Sequence, residues 1–429
     1  MKVAGKNPLI TAALTAWLCL PWPAQALSDE VALRAWTALE TRDSTVVRAL
    51  PEKERAILKA TLALQTNRPE QALSSLPEQF SDDPLVALLQ AEAHRRKALQ
   101  AVGRAGAYAQ GLQAESEMLA SANLSAGLNE ADVRLRAFVD KLDGIYGDPL
   151  DLLALGSDVK SVFLVDKARS RMFVFERDQD GVFQRVADEY VVTGAKSGDK
   201  KIAGDARTPN GVYRFIKRLE GDGLPPRYGP VAFPIDYPNE LDQLHHKNGH
   251  GIWMHGYANG VGRRPPRDTR GCFALPNPRL LAMAEHIYLG HSWVLVGEGF
   301  VFNRDEEKQA RLQSVSDTLE SWRSDWSSLD TDAYLAHYHP KFRSGKRGLS
   351  AWKRYKHRVN RNKSFIDVTF ADMTIVRDPN AWPEGEVVIA EFDQHYRSSN
   401  YQDKSRKRLY LARANDHEPW RILIEEAVK

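Results

Sequence analysis

The sequence predicts three folded regions of different class in series: an all-α region, a mostly-β region and a small α+β cone. Three observations predict this. Residues 27–143 are rich in Ala, Leu, Glu and Gln with few β-branched runs, which favours helix. From Asp158 to Phe300 apolar β-type runs alternate with Gly- and Pro-rich connections. After Phe300 two helical patterns precede four strand-like runs, the order of an α+β unit. At 429 residues, with 43% hydrophobic and 27% charged residues, the chain has the composition of globular domains. Its 59 basic and 56 acidic residues give a net charge of +3, which argues against a dedicated nucleic-acid binder.

The first 26 residues read as an export signal. Lys2 and Lys6 form the basic start, Leu9 to Leu20 an apolar stretch, and Ala24-Gln25-Ala26 a small-x-small cleavage site. The stretch is too short to span a bilayer. Of the two cysteines, Cys19 lies in this segment, so an exported chain keeps one thiol, Cys272, which has no disulfide partner.

The helical region is expected over 27–150. Small residues at Ala60, Ala72 and Ala87, with turns at Asn67 and Pro84, give it a tetratricopeptide-like spacing; a plain helical bundle is the alternative. Gly144 to Gly156, containing Pro149, reads as a linker. In the middle region, 158–300, Ser161–Asp166 and Arg171–Glu176 predict a β-hairpin, and Val186–Thr193, Val212–Lys217 and His291–Val296 predict further strands. In the last region, 306–429, Leu312, Val315, Leu319, Trp322 and Trp326 fall on one helix face, and a second helix is expected over Leu349–Asn360. Strands follow at Phe365–Val376, Glu386–Tyr396, Arg406–Arg413 and Trp420–Glu425. Trp322, Trp326, Tyr334, Tyr338 and Trp352 are expected in the core. Between Lys341 and Lys363 lie ten Lys/Arg and no acid, either a basic face for an anionic wall polymer, lipid headgroups or an acidic partner, or a solvated helix face.

The chemistry concentrates around Cys272. His255 precedes it by 17 residues across a loop rich in Gly, Pro and Arg, which can fold back and bring an imidazole to the thiol. Gly271 allows close backbone approach, so the amides around Gly271 and Cys272 are oxyanion-hole candidates. Arg263, Arg264, Arg267 and Arg270 favour a thiolate and suit a substrate carboxylate. Asp242, His245, His246, His250 and His255 have no recognisable metal-ligand spacing, so no metal and no cofactor is expected.

These residues resemble the L,D-transpeptidase (YkuD-type) catalytic domain, whose pattern is a His, a spacer of this length, and Ser/Thr-x-Gly-Cys. Thr193-Gly194 and the segment from Gly204-Asp205 through Thr208-Pro209-Asn210-Gly211 to Tyr213 are similar to the family's second motif. The resemblance covers residues 158–300. It implies Cys272 as nucleophile, His255 as general base and the Gly256 carbonyl as the group that orients the imidazole. Thr269, Arg270, Gly271, Arg267 and Tyr257 are then expected at the substrate. Its implied substrate is the peptidoglycan stem peptide, attacked at meso-diaminopimelate to give a thioester that an amine or water releases. Arg270 and Ala274 depart from the common pattern and look like a divergent branch with L,D-carboxypeptidase members carrying a C-terminal NTF2-like domain, which the last region resembles. The leading expectation is a periplasmic L,D-transpeptidase. A hydrolytic member is the alternative, either an L,D-carboxypeptidase or an amidase releasing diaminopimelate-linked protein, and a non-catalytic wall-binding scaffold stands behind both. Envelope proteins are possible partners of the helical and NTF2-like regions, and nucleic acid is not.

Overall fold

A computed structural model of the chain describes residues 27–42, 44–77, 83–105, 123–259, 261 and 264–428. The expected signal segment and Arg263 lie outside these. Among the described residues, those up to Asp143 together with 264–266 form one compact unit, and those from Gly144 to Val261 and from Arg267 onward form the other.

The first unit is helical. Its central helix, Glu52–Gln65, buries two faces: Ile57, Ala60, Ala63 and Leu64 against Leu85, Leu89 and Ala93, and Leu58 and Leu62 against Leu39, Leu135 and Phe138. That two-sided burial explains the near-continuous apolar stretch after Arg55. Ser28 caps the first helix, Asp29–Thr41, by accepting from the Val31 amide. Glu52–Gln65 is followed by a helix of only six residues, Pro69–Ser74, and then by Pro84–Ala105. The unit is helical, with one long helix beside a short companion.

The second unit begins at Gly144. The segment read as a linker is instead built into it. Leu152–Ala154 is a strand antiparallel to Ile366–Arg377, and Tyr146, Leu150, Leu152 and Leu153 are buried. The reason is composition: five of the residues from 150 to 155 are Leu or Ala, and they add an edge to a sheet that lies over 200 residues away in sequence.

A five-stranded sheet runs in the order Phe183–Tyr190, Arg171–Arg177, Ser161–Asp166, Ser292–Gly297, Gly211–Arg214. Its middle is buried on both sides, which is why Ser161–Asp166 does not alternate with polar residues. Phe163, Val165, Met172, Val174 and Val294 face a first core. There they meet Val231, Phe233, Met254 and Phe273 from a four-stranded sheet, and Leu280 and Met283 of the Asn277–Ala284 helix. Val162, Leu164, Phe173, Phe175, Trp293 and Leu295 face a second core.

That second core is completed by the C-terminal region. A seven-stranded sheet contains the four long strands Ile366–Arg377, Glu386–Ser398, Tyr401–Arg413 and Arg421–Val428. Along Glu386–Ser398 the side chains divide by parity. Val387 and Ile389 join Trp293 and Leu295, whereas Val388, Ala390 and Phe392 join Trp322, Trp326, Tyr334, Tyr338 and Trp352 in the cone's interior. One sheet thus serves two cores.

The basic segment Lys341–Lys363 is not one face. Lys356 is buried over the rings of Trp326, Tyr334 and Trp352, Lys341 pairs with Glu384 and Arg343 with Glu240, and Lys363 bonds Ser398 and Asn400.

Candidate active site

Cys272 sits just before the two-residue strand Phe273–Ala274, which runs parallel to Trp253–His255 with Phe273 opposite Met254 and Ala274 opposite His255. Met254 and Phe273 point into the first core. By alternation Trp253, His255, Cys272 and Ala274 lie on the opposite face, with His255 one diagonal step from Cys272. The fold therefore returns the 17-residue spacer to bring thiol and imidazole onto adjacent strands of one surface.

His255 is oriented by its neighbour. Its Nδ1 lies 2.6 Å from the Gly256 carbonyl oxygen, which can only accept, so Nδ1 carries the proton and Nε2 is the basic nitrogen. The carbonyl is fixed in turn. The Gly256 amide donates to Tyr228 O (2.9 Å), and the Tyr257 amide donates to Asn277 Oδ1 (2.8 Å). A Cβ on Gly256 would lie 2.2 Å from Asn277 Oδ1, so only glycine fits. The Tyr228 ring stands edge-on to the imidazole at 5.0 Å and 4.8 Å from Trp253.

The turn that carries Cys272 is held from within. Thr269 Oγ1 donates to the Cys272 carbonyl (2.6 Å) and accepts from the Gly271 amide (3.1 Å). Thr208 Oγ1 also donates to the Cys272 carbonyl (3.3 Å) while accepting from the Gly194 amide (2.9 Å). The Gly271 amide is thereby occupied, so the expected oxyanion hole does not draw on it. Gly271 has φ +126° and an added Cβ would lie 2.8 Å from Arg207 O. The Cys272 thiol donates to Gly251 O at 3.4 Å.

The second motif builds the loop behind this turn. Asp205 binds Lys200 Nζ (2.8 Å) and accepts from the amides of Lys201, Ile202 and Arg207. Partial burial alone would raise its pKa, but Lys200 and these amides prevail and hold it down at about 2. Gly194 lies so close to Ala206 O that a Cβ would sit at 2.6 Å. Lys167, buried at the end of the Ser161–Asp166 strand, donates to Gly198 O and Thr208 O.

Of the residues expected at the substrate, Arg267 and Arg270 are exposed, whereas Thr269 and Gly271 are buried in the turn. Tyr257 is 2% exposed, buried rather than on an open surface. Sequence reasoning missed Tyr228, Trp253, Asn277 and Lys167. Trp253 shares the His255 strand, whereas Tyr228, Asn277 and Lys167 reach the site from separate elements and nothing in their spacing marks them. Among the described residues there is no group of three His, Cys, Asp or Glu that would hold a metal. Of the His/Asp run, His245 stacks on Trp382 and Asp242 pairs with Lys247.

Comparison with known proteins follows this geometry. The family model of the L,D-transpeptidase catalytic domain matches residues 160–296, and that of the Cds6 C-terminal NTF2-like domain matches residues 314–426. Among solved structures, Bd1075 of Bdellovibrio bacteriovorus is similar at 27% identity over 65% of this chain and 97% of its own, with a TM-score of 0.56. The helical cell shape determining protein Pgp2 of Campylobacter jejuni is similar at 29% identity over 66% of this chain and 97% of its own, TM-score 0.54. No curated protein matches the chain.

Proposed function

We propose a reaction for this chain, which carries an L,D-transpeptidase catalytic domain followed by a Cds6-type NTF2-like domain and is a peptidoglycan-modifying enzyme of that kind: Cys272 takes the acyl group of a stem tetrapeptide as a thioester. His255 Nε2 removes the thiol proton, and the sulfur attacks the carbonyl at the L-centre of meso-diaminopimelate. The tetrahedral intermediate collapses by breaking the C–N bond to the terminal D-residue, whose amine leaves with the proton held on His255. Water, deprotonated by the same Nε2, then cleaves the thioester and regenerates the thiol. The observation that carries this reading is the Nδ1–Gly256 carbonyl bond beside a strand-adjacent cysteine, which leaves Nε2 as the base. Arg267 and Arg270, exposed at the turn, are the proposed partners of the stem peptide's carboxylates.

The two-domain likeness to Pgp2, a helical cell shape determining protein, spans nearly all of that chain and supports a reaction that alters cell shape. Cross-linking with an amine acceptor is the second reading, on the strength of the catalytic domain's family. Release from a cleaved signal into the periplasm is part of the proposal and rests on residues 1–26. Among the described residues no helix is long and apolar enough to cross a membrane.

Mass spectrometry of purified tetrapeptide muropeptides after incubation with the protein, with Cys272→Ala alongside, tests the reading. Monomeric tripeptides that need Cys272 support the carboxypeptidase, and dimers lacking one D-Ala support the transpeptidase. A product that forms equally with Cys272→Ala overturns the thioester.

A further inference from the structure

Two loops touch Cys272. The loop after Gly194 supplies Thr208, whose hydroxyl holds the Cys272 carbonyl, and the loop after Leu244 supplies Gly251, whose carbonyl accepts the thiol proton. The loops are zipped to each other: the Asn248 amide donates to Lys201 O (3.0 Å) and the Ala203 amide to Asn248 Oδ1 (2.8 Å). Their deeper anchor is Lys247, 5% exposed at its side chain, whose Nζ lies 2.7 Å from Asp199 Oδ2 and 2.9 Å from Asp242 Oδ1. Asp199 Oδ1 in turn accepts from the Asn210 amide (2.8 Å), which closes the Thr208 loop.

The C-terminal domain grips that anchor. Its connection between the strands Ile366–Arg377 and Glu386–Ser398 reaches over with Asn380 and Trp382. Asn380 Nδ2 donates to Asp199 Oδ2 (3.2 Å). The Trp382 ring lies 4.3 Å from Lys247 Nζ and stacks on His245 at 4.6 Å and 27°. Glu384 holds His245 from the far side (3.1 Å) and is itself paired with Lys341 (2.8 Å). Trp382 is 7% exposed, so the ammonium–indole contact is shielded from water and correspondingly strong.

We infer that Asn380 and Trp382 are positioning residues of the catalytic site: the C-terminal hairpin sets the two loops that fix the carbonyl and the sulfur of Cys272. Trp382 also packs into the core shared by the two domains, yet its ring covers Lys247 and Asn380 bonds Asp199, the two side chains from which the loops hang. Displacement of Thr208 or Gly251 by as little as about 1 Å is enough to cost one to two orders of magnitude in rate. The inference rests on Cys272 as nucleophile.

The test uses the full chain and the variants Trp382→Ala, Trp382→Phe, Asn380→Ala and Cys272→Ala. Turnover of tetrapeptide muropeptide and hydrogen exchange at the Asn210 amide are measured on each. Trp382→Ala is expected to lower kcat by about tenfold or more with KM within about twofold, and to speed Asn210 exchange; Trp382→Phe is expected to restore most of both. A folded Trp382→Ala with wild-type kcat and wild-type Asn210 exchange overturns the inference. Should Trp382→Ala fail to fold, Asn380→Ala decides, since it removes one hydrogen bond and no large side chain: faster Asn210 exchange with reduced kcat supports the inference, and no change in either overturns it. Turnover that survives in Cys272→Ala removes the functional reading instead. In that case Asn210 exchange alone decides whether the hairpin sets the loop.

Discussion

His255 is oriented by a main-chain oxygen one residue away. That places weight on Gly256 and its surroundings. Gly256→Ala would drive a methyl into Asn277 Oδ1, and overpacking of this kind costs about 1–3 kcal/mol while turning the carbonyl off the imidazole. We expect the variant to fold with a lowered melting temperature and to lose at least about 100-fold in kcat, measured by calorimetry and muropeptide turnover. A variant with unimpaired turnover would show that the carbonyl does not matter. Thr269 is the second such residue. Thr269→Val removes one of two donors to Cys272 O, which keeps Thr208 Oγ1, and the side-chain acceptor of the Gly271 amide, whose unmet donor in a buried turn costs about 1–3 kcal/mol. Thr269→Ser keeps the hydroxyl. The expected order of kcat is wild type, Ser, then Val far below, and equality of Val with Ser would sink the assignment. Cys272 and His255 stood out in the sequence as a thiol and an imidazole on either side of a Gly-, Pro- and Arg-rich loop, and the part of Gly256 came from the family resemblance. Asn277, Tyr228 and Lys167 did not stand out, because an amide, a phenol and an amine are ordinary surface residues until a fold converges them.

Long apolar runs were legible as elements. The helix over Leu349–Asn360 and the strands Ser161–Asp166 and Ser292–Gly297 lie where composition and periodicity place them. The strands that carry the site were not legible, since Trp253–His255, Arg267–Thr269 and Phe273–Ala274 are two or three residues long and show no period. The connection carrying Asn380 and Trp382 reads as a turn and nothing more. It also holds a titrating group. Asp378 is 1% exposed, and burial pushes its carboxyl up to about 7 from the usual 3.8. A raised folded-state pKa means that the folded chain keeps a proton the unfolded chain has lost. Stability from this group is therefore complete below about pH 4 and drains away as pH rises through 7. Asp378→Asn keeps an oxygen for the Asn380 amide and removes the titration. The melting temperature of the variant relative to wild type should climb between pH 5 and pH 8, and a pH-independent difference would contradict the shift.

Scaled to the whole second unit, the decisive feature is the core shared by two domains. Trp293, Leu295, Phe173 and Phe175 on one side meet Val387, Ile389, Tyr410 and Ala412 on the other, so neither domain is finished alone. A chain ending at Asn303 would leave the apolar face of the five-stranded sheet in water, well beyond the patch a monomer ordinarily tolerates. We expect such a chain to bind a hydrophobic dye and to melt without a cooperative transition. A sharp calorimetric transition with no dye binding would show the catalytic domain to be independent. By itself the sequence determined the three structural classes, the order of the regions, the long strands and helices, and the candidate pair Cys272 and His255, because local propensity, periodicity and chemical type are written in neighbouring residues. Tertiary structure alone decided that residues 144–156 are an edge of a distant sheet, that Tyr257 is buried and not on an open surface, that the Gly271 amide is already occupied, and that Asn380 and Trp382 lean on the loops around the thiol. Each of these depends on which residues far apart in the chain share a face, and pairing across hundreds of residues leaves no local pattern to read.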